Sequence, residues 1–189
     1  MMDTAKKEGK GSTMKLIVID MQKALLVEEL YNVENVIANV KKLIETAREC
    51  GIEVLYVQHD AGEGSGFSVG DEGFEIAEAV APKPGERIFV KTINSCFGNK
   101  DFTAYLEASK EEDLMIVGLQ TNFCIDATVK SAFERGYYVA VPENAHSTFD
   151  NPYMTGETTC AYYFHEVWPG LFADCVSMDD ALEMLKKQD

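Results

Sequence analysis

The chain has 189 residues, of which 46% are hydrophobic, 32 are acidic and 17 are basic, giving a formal net charge of −15. A chain of this length can bury one sizeable core, which favours a single domain. The negative charge disfavours nucleic acids and anionic membrane surfaces as partners, because both bind positively charged proteins. No run reaches the roughly 18 apolar residues that a membrane span needs.

The cysteine pattern indicates the cellular compartment, and the N-terminal residues indicate where the folded domain begins. The five cysteines are odd in number and show no C-x-x-C spacing, which predicts a reduced, cytoplasmic protein and not a disulfide scaffold. Residues 1–13 are polar, and no apolar segment follows their three lysines. We interpret them as a disordered tail or a remnant of cloning, and residues 14–189 as the folded domain.

Short apolar runs alternate with helical patterns along the whole domain. Strands are predicted at 15–20, 52–58, 87–91, 114–117, 137–141 and 171–176. Helices are predicted at 33–50, 74–80, 101–108, 156–168 and 178–187, with one more that contains Cys124 and ends before Gly136. We expect Asn32 and Ser177 to cap the helices that follow them. The pattern predicts a three-layer α/β fold with a six-stranded, mostly parallel sheet and helices on both faces.

The segment around Cys124 is the strongest local signal. A buried strand ends at Gly118, and Thr121 or Asn122 can cap the next helix, so Cys124 is predicted in its first turn. A helix N-terminus lowers the pKa of a thiol, and ligands bind at the carboxyl ends of strands in such sheets. Cys124 is therefore a candidate nucleophile. The alternative is that it is a small buried hydrophobic residue.

Two other strands end on charged residues, Asp20 and Lys91. Because parallel strands share one carboxyl edge, these side chains are expected beside Cys124. An ammonium there stabilises a thiolate, a carboxylate can accept the thiol proton, and the thiolate can attack a carbonyl. The backbone amides of the 120–124 turn are candidate oxyanion donors. Singly, Asp20 could instead be a cap, Lys91 could reach solvent, and Cys124 could belong to the core.

Three motifs carry a resemblance to a known family. Val-Ile-Asp-Met-Gln at 18–22, Lys-Thr-Ile-Asn-Ser-Cys-Phe at 91–97 and Gly-Leu-Gln-Thr-Asn-Phe-Cys at 118–124 resemble the motifs of the isochorismatase-like cysteine hydrolases. The resemblance implies a catalytic triad of Asp20, Lys91 and Cys124. It also implies a cis peptide bond between Leu119 and Gln120, an oxyanion hole made by the amides of Gln120 and Cys124, and a homo-oligomer such as a dimer or tetramer.

The resemblance also narrows the activity. Nicotinamidases of the family hold a metal with an Asp-x-His motif and a second His, but here His59-Asp60 is followed by Ala61-Gly62. Neither a metal nor another cofactor is therefore expected. Isochorismatases lack the nucleophilic cysteine, so Cys124 argues against that activity. The nicotinamidase-related amidohydrolases remain.

Six residues near the expected edge are candidates for the substrate pocket, although packing is the alternative for each: Gln22, His59, Phe97, Phe123, His146 and Phe149. The loops at 60–73, 92–100 and 144–154 are expected to set specificity, and the glycine-rich first loop is predicted to be mobile or a lid.

The sequence thus predicts a cytoplasmic hydrolase that cleaves a C–N bond of a small amide through a thioester and releases ammonia or an amine. Two alternatives stay open. One is a hydrolase of the same fold that uses no thioester. The other is a catalytically idle binding or scaffold protein.

Overall fold

The sheet is parallel throughout, as the alternation of strands and helices predicts. The computed structural model describes residues 14–109 and 111–187, so the predicted N-terminal tail lies outside the described residues. The strands are β1 (Lys15–Ile19), β2 (Val54–His59), β3 (Arg87–Lys91), β4 (Asp113–Leu119), β5 (Tyr138–Pro142), β6 (His146–Ser147) and β7 (Asp174–Val176). Six of them run in the order β3-β2-β1-β4-β5-β7, and the two-residue β6 pairs with β4.

The described residues form five α-helices: α1 (Val33–Glu49), α2 (Lys100–Ser109), α3 (Asp126–Glu134), α4 (Gly156–Tyr162) and, after the last strand, α5 (Met178–Lys186). A π-helical turn, Thr121–Ile125, precedes α3, and a second one, Tyr163–Val167, follows α4. No described helix has both the length and the apolar character needed to cross a membrane.

Alternate residues of β1 define the two hydrophobic layers. Leu16 and Val18 face α1 and α5, whereas Ile17 and Ile19 face α2 and α3. All four side chains are buried, so the strand is covered on both faces, as a central parallel strand must be. The predicted three-layer architecture is therefore confirmed.

Some local predictions were wrong. Residues 74–80 form no continuous helix but lie within a segment with two short 3₁₀ turns, Glu72–Phe74 and Glu78–Val80. Asn32 precedes α1 with a φ of 53°, and its side chain makes no capping bond, because this left-handed conformation replaces the usual extended one. The cap at Ser177 is confirmed, since its Oγ accepts a hydrogen bond from the amide of Asp180 at 3.1 Å.

Strand β4 continues through Gly118 to Leu119 instead of ending at the glycine. Gly118 has a φ of +118°, and a Cβ built there would lie 1.9 Å from the carbonyl oxygen of Ile19. Only glycine permits this approach between the two central strands. The contact brings the carboxyl ends of β1 and β4 together, where the candidate site lies.

Candidate active site

Three strands deliver the three charged or reactive side chains predicted from the sequence. Asp20 follows β1 directly with a φ of 52°, Lys91 is the last residue of β3, and Cys124 lies on the π-helical turn after β4. Because all three strands are parallel, their ends meet at one edge of the sheet. Asp20, Lys91 and Cys124 are all less than 10% exposed.

The Lys91 ammonium lies at the centre of this group. Its Nζ donates hydrogen bonds to Asp20 Oδ2 at 2.8 Å and to Cys124 Sγ at 3.1 Å, and lies 3.1 Å from His59 Nδ1. An ammonium has three N–H donors, so these three contacts use its whole capacity. The lysine is thereby fixed in position and bound to both the acid and the thiol.

The electrostatics of the site differ from the prediction for Cys124. Burial is the largest effect on the Cys124 thiol, and together with the Asp20 carboxylate it raises the pKa to about 12 against the lowering by Lys91. One ammonium already balances one carboxylate, so a second anion would leave net negative charge in a buried site. The pKa of Cys124 is thus raised, contrary to the lowering expected from its position at a helix N-terminus.

Asp20 is suited to accept a proton. Burial raises its pKa, and this effect exceeds the lowering by Lys91. Its Oδ2 is bound to Lys91, whereas Oδ1 is buried and has no hydrogen-bond partner among the described residues. One carboxylate oxygen of Asp20 lies within 4.8 Å of the Cys124 sulfur, so the carboxylate is close to the thiol.

The turn that carries Cys124 begins at a cis peptide bond between Leu119 and Gln120, the position that the resemblance implies. The carbonyl of Gln120 accepts hydrogen bonds from the amides of Phe123 and Ile125, both at 3.1 Å. Gln120 occupies the N-cap position, but its side chain makes no capping bond. The backbone of this turn is thus held in place by its own hydrogen bonds.

Neither Thr121 nor Asn122 caps the following helix, contrary to the prediction. The hydroxyl of Thr121 lies 2.9 Å from His146 Nδ1, and Asn122 Oδ1 accepts a hydrogen bond from the hydroxyl of Thr148 at 2.6 Å. Both side chains bind the segment that contains β6. They therefore connect the cysteine turn to the predicted 144–154 loop.

A cavity of about 320 Å³ opens at the cysteine. Its polar lining residues are Asp20, His59, Asn94, Gln120 and Cys124. Its apolar lining residues are Leu25, Ala61, Phe67 and Phe123. The volume suits a small molecule, with apolar walls on some sides and the reactive group at one end.

Two of the six predicted pocket residues, His59 and Phe123, line this cavity. Gln22 does not, because it is fully buried and its amide binds backbone groups of His59 and Phe74. Phe97 packs against Phe102 and Tyr137 in the layer of α2 and α3.

The other two predicted pocket residues belong to the packing as well. Phe149 packs against the layer of α1 and α5. His146 is buried, with its ring against Phe164 and Trp168 at centroid distances of 5.9 and 5.1 Å. Burial lowers the pKa of His146 to about 4, so the ring is neutral at pH 7. His146 supports the cysteine turn from behind and does not line the cavity.

The sequence did not indicate Leu25, Ala61, Phe67 and Asn94 as individual lining residues. Ala61, Phe67 and Asn94 lie in the predicted specificity loops, so the sequence indicated these segments but not the individual residues. Phe67 stacks on His59 with centroids 5.9 Å apart, and the 60–73 loop is folded onto Asp60, whose Oδ1 binds Gly62 N and Ser68 Oγ. Nothing in the sequence indicated that Leu25 lines the cavity, since it lies in an irregular segment after β1.

Asp20, His59 and Cys124 also have the composition of a small metal-binding group, because their ligand atoms lie within 4.8 Å of one another. The Lys91 ammonium, however, contacts all three of these residues. A metal ion between the same atoms would lie against that positive charge. These residues therefore fit a lysine better than a metal. Cys96, the other cysteine close to Lys91, is fully buried and does not line the cavity.

Comparison with known proteins agrees with this geometry. The sequence model of the isochorismatase domain matches residues 14–177. The uncharacterized isochorismatase family protein YddQ of Bacillus subtilis is 36% identical over 141 residues, which cover 72% of this chain and 78% of YddQ. The chain therefore belongs to the isochorismatase family of hydrolases.

Some relatives have named activities. A streptothricin hydrolase of Streptomyces noursei is 30% identical over 72% of this chain, which spans only 50% of that enzyme. The ureidoacrylate amidohydrolase RutB of Agrobacterium fabrum is 26% identical over 72% of this chain and 76% of its own length. Among solved structures, a putative isochorismatase hydrolase from Oleispira antarctica superposes with a TM-score of 0.84 at 26% identity, covering 93% of this chain and 98% of that one.

Proposed function

We propose that the protein is a cysteine-dependent hydrolase that cleaves the C–N bond of a small amide through a thioester intermediate. The observation that carries this proposal is the Lys91 ammonium, which is hydrogen-bonded to both Asp20 and Cys124 at the end of a cavity. A carboxylate, an ammonium and a thiol in mutual contact supply a base, a counter-charge and a nucleophile.

The first step transfers a proton within the group. Ionising Cys124 by loss of its proton to bulk water is unfavourable, because the site would become negative. Moving the same proton to the Asp20 carboxylate leaves the net charge of the three residues unchanged. The raised pKa of Asp20 favours this transfer. The thiolate then attacks the carbonyl carbon of the amide while Lys91 remains bound to the sulfur.

The attack creates an oxyanion, which the backbone amides of Gln120 and Cys124 would stabilise. The protonated Asp20 then donates its proton to the leaving nitrogen, so that the C–N bond breaks and an amine or ammonia departs. A thioester on Cys124 remains. Asp20, again a carboxylate, takes a proton from the water that attacks the thioester. It then returns this proton to the departing Cys124 sulfur, so that a carboxylic acid and the free thiol are released.

The relatives support the class of reaction. RutB of Agrobacterium fabrum is named as an amidohydrolase, and the relative from Streptomyces noursei is named as a streptothricin hydrolase. The family also contains isochorismatases, whose name denotes a different substrate. Cys124 beside a cation and an acid favours the amide reaction over that alternative.

The test is a panel of small primary amides assayed for ammonia release, with rapid-quench mass spectrometry to detect an acyl group on the protein. We expect Cys124→Ala to reduce turnover by at least about a hundredfold. Lys91→Met should show a similar loss, whereas Cys50→Ala, at an exposed cysteine, is the matched control and should leave turnover unchanged. Normal turnover in Cys124→Ala, or an acyl group on another residue, would overturn the mechanism.

A further inference from the structure

The cavity offers no positive charge to a ligand. None of its nine lining residues is a lysine or an arginine. Lys91 is 2% exposed and uses its three N–H groups on Asp20, Cys124 and His59. Burial and Lys91 lower the pKa of His59, so this ring is neutral at pH 7. Lys91 balances the charge of the Asp20 carboxylate, so the lining presents no net positive charge with which an anion could pair.

The segments around the cavity carry further negative charge. Residues 60–75, which supply Ala61 and Phe67, contain no lysine or arginine and five acidic residues: Asp60, Glu63, Asp71, Glu72 and Glu75. On the segment that supplies Leu25, Lys23 is paired with Glu75. With a net charge of −15 on the whole chain, the field at the cavity entrance repels anions and attracts cations.

The walls favour apolar or planar groups. Phe67 is half-buried on the ring of His59, and Phe123 is 49% exposed on the cysteine turn. Leu25 and Ala61 complete the apolar lining. Aromatic faces of this kind bind planar apolar groups and also attract cations. A carboxylate placed against them would lose its water without gaining a partner.

We infer that the site selects small amides with an apolar or planar acyl group and no negative charge, and that it discriminates against carboxylate-bearing amides. This inference rests on the proposed function for its reaction, but the selection itself concerns binding. It distinguishes this chain from an enzyme that acts on an acidic amide, since such an enzyme needs a cation in its pocket.

Three probes of similar shape test the charge alone: benzamide, 3-(aminomethyl)benzamide and 3-carboxybenzamide, which are neutral, cationic and anionic at pH 7.5. Their affinities for Cys124→Ala are measured by calorimetry at low and high salt, and ammonia release is measured with the unmodified enzyme. We expect the neutral and cationic amides to bind at least about tenfold more tightly than the anionic amide. The disadvantage of the anion should shrink as salt rises.

Ala61 provides the matched pair of variants, because it is exposed and lines the cavity. Ala61→Arg should raise the affinity for 3-carboxybenzamide relative to benzamide by about tenfold, whereas Ala61→Gln should leave that ratio unchanged. Equal affinity for the anionic and neutral amides in Cys124→Ala, or no binding of any of the three, would overturn the inference. Binding in the expected order without ammonia release would support the charge selection and contradict the proposed reaction.

Discussion

The side-chain amide of Gln22 pairs with the backbone of His59 in the manner of a neighbouring strand. Gln22 Oε1 accepts a hydrogen bond from His59 N at 2.8 Å, and Gln22 Nε2 donates to His59 O at 3.1 Å. His59 is also the partner of Lys91 in the register between β2 and β3. Gln22 therefore fixes the end of the strand against which Lys91 lies.

Replacing Gln22 should cost more stability than replacing a similar glutamine nearby. Gln22 is fully buried, and its amide makes three hydrogen bonds to the backbone of His59 and Phe74, whereas Gln58 makes one, to Phe74 O. Gln22→Ala is expected to lower the free energy of unfolding by about 2–4 kcal/mol, and Gln58→Ala by about 1 kcal/mol. Urea unfolding followed by circular dichroism measures both. Equal losses would show that the pairing with His59 contributes no stability.

The reactivity of Cys124 should reflect its raised pKa. Because burial and the nearby Asp20 raise that pKa to about 12, the rate of alkylation by iodoacetamide should still be rising above pH 9. At pH 7 the exposed Cys50 should react faster than Cys124. Peptide mass spectrometry of labelled protein gives both rates in one sample. A plateau for Cys124 below neutral pH would mean that Lys91 outweighs burial and that the thiolate is the resting form.

Buried His146 should make stability depend on pH. Its pKa falls from 6.5 to about 4 on folding, so the unfolded chain binds the proton more tightly. The contribution of neutral His146 to the free energy of unfolding is complete above about pH 6.5. It is lost as the pH falls toward 4, and the total loss is roughly 3 kcal/mol. His146→Gln should flatten the fall in unfolding free energy over this range, whereas the exposed His165→Gln should not. An unchanged slope in His146→Gln would exclude this residue as the cause.

Because the backbone of Ile19 lies so close to Gly118, replacing this glycine should strongly destabilise the protein. In Gly118→Ala the new Cβ would meet the Ile19 carbonyl, in a backbone conformation with φ of +118°. We expect loss of at least about 3 kcal/mol, or no soluble protein. Gly136→Ala is the control, because Gly136 has a φ of +87° but nothing lies within 4 Å of its Cβ position. It should cost about 1 kcal/mol. Similar losses of stability in the two variants would show that the positive φ, and not the contact with Ile19, causes the destabilisation.

The reactive group could be predicted from the sequence because each member ends or follows a recognisable strand. Asp20, Lys91 and Cys124 come from apolar runs whose carboxyl ends must share an edge in a parallel sheet. The sequence could not give the pKa of Cys124. Position in the chain indicates a helix terminus, but the burial and the distance to Asp20 that outweigh it arise only on folding.

The cavity walls could not be predicted for a similar reason. Phe97 and Phe123 both lie within a motif, yet Phe97 is 8% exposed in the core and Phe123 is 49% exposed at the cavity. Nothing in the local pattern separates them. Strand β6 was missed because two residues, His146 and Ser147, show no periodicity.

The position of β3 in the sheet affects how the site comes apart. Asp20 and Cys124 follow the adjacent central strands β1 and β4, but Lys91 belongs to a border strand that joins the sheet through β2. Border strands detach in local opening events that leave the centre of a sheet intact. A molecule with β3 detached would keep its acid and its thiol but lose the cation between them. The proposed hydrolase activity should therefore be lost on fraying at this border before the overall content of folded structure changes.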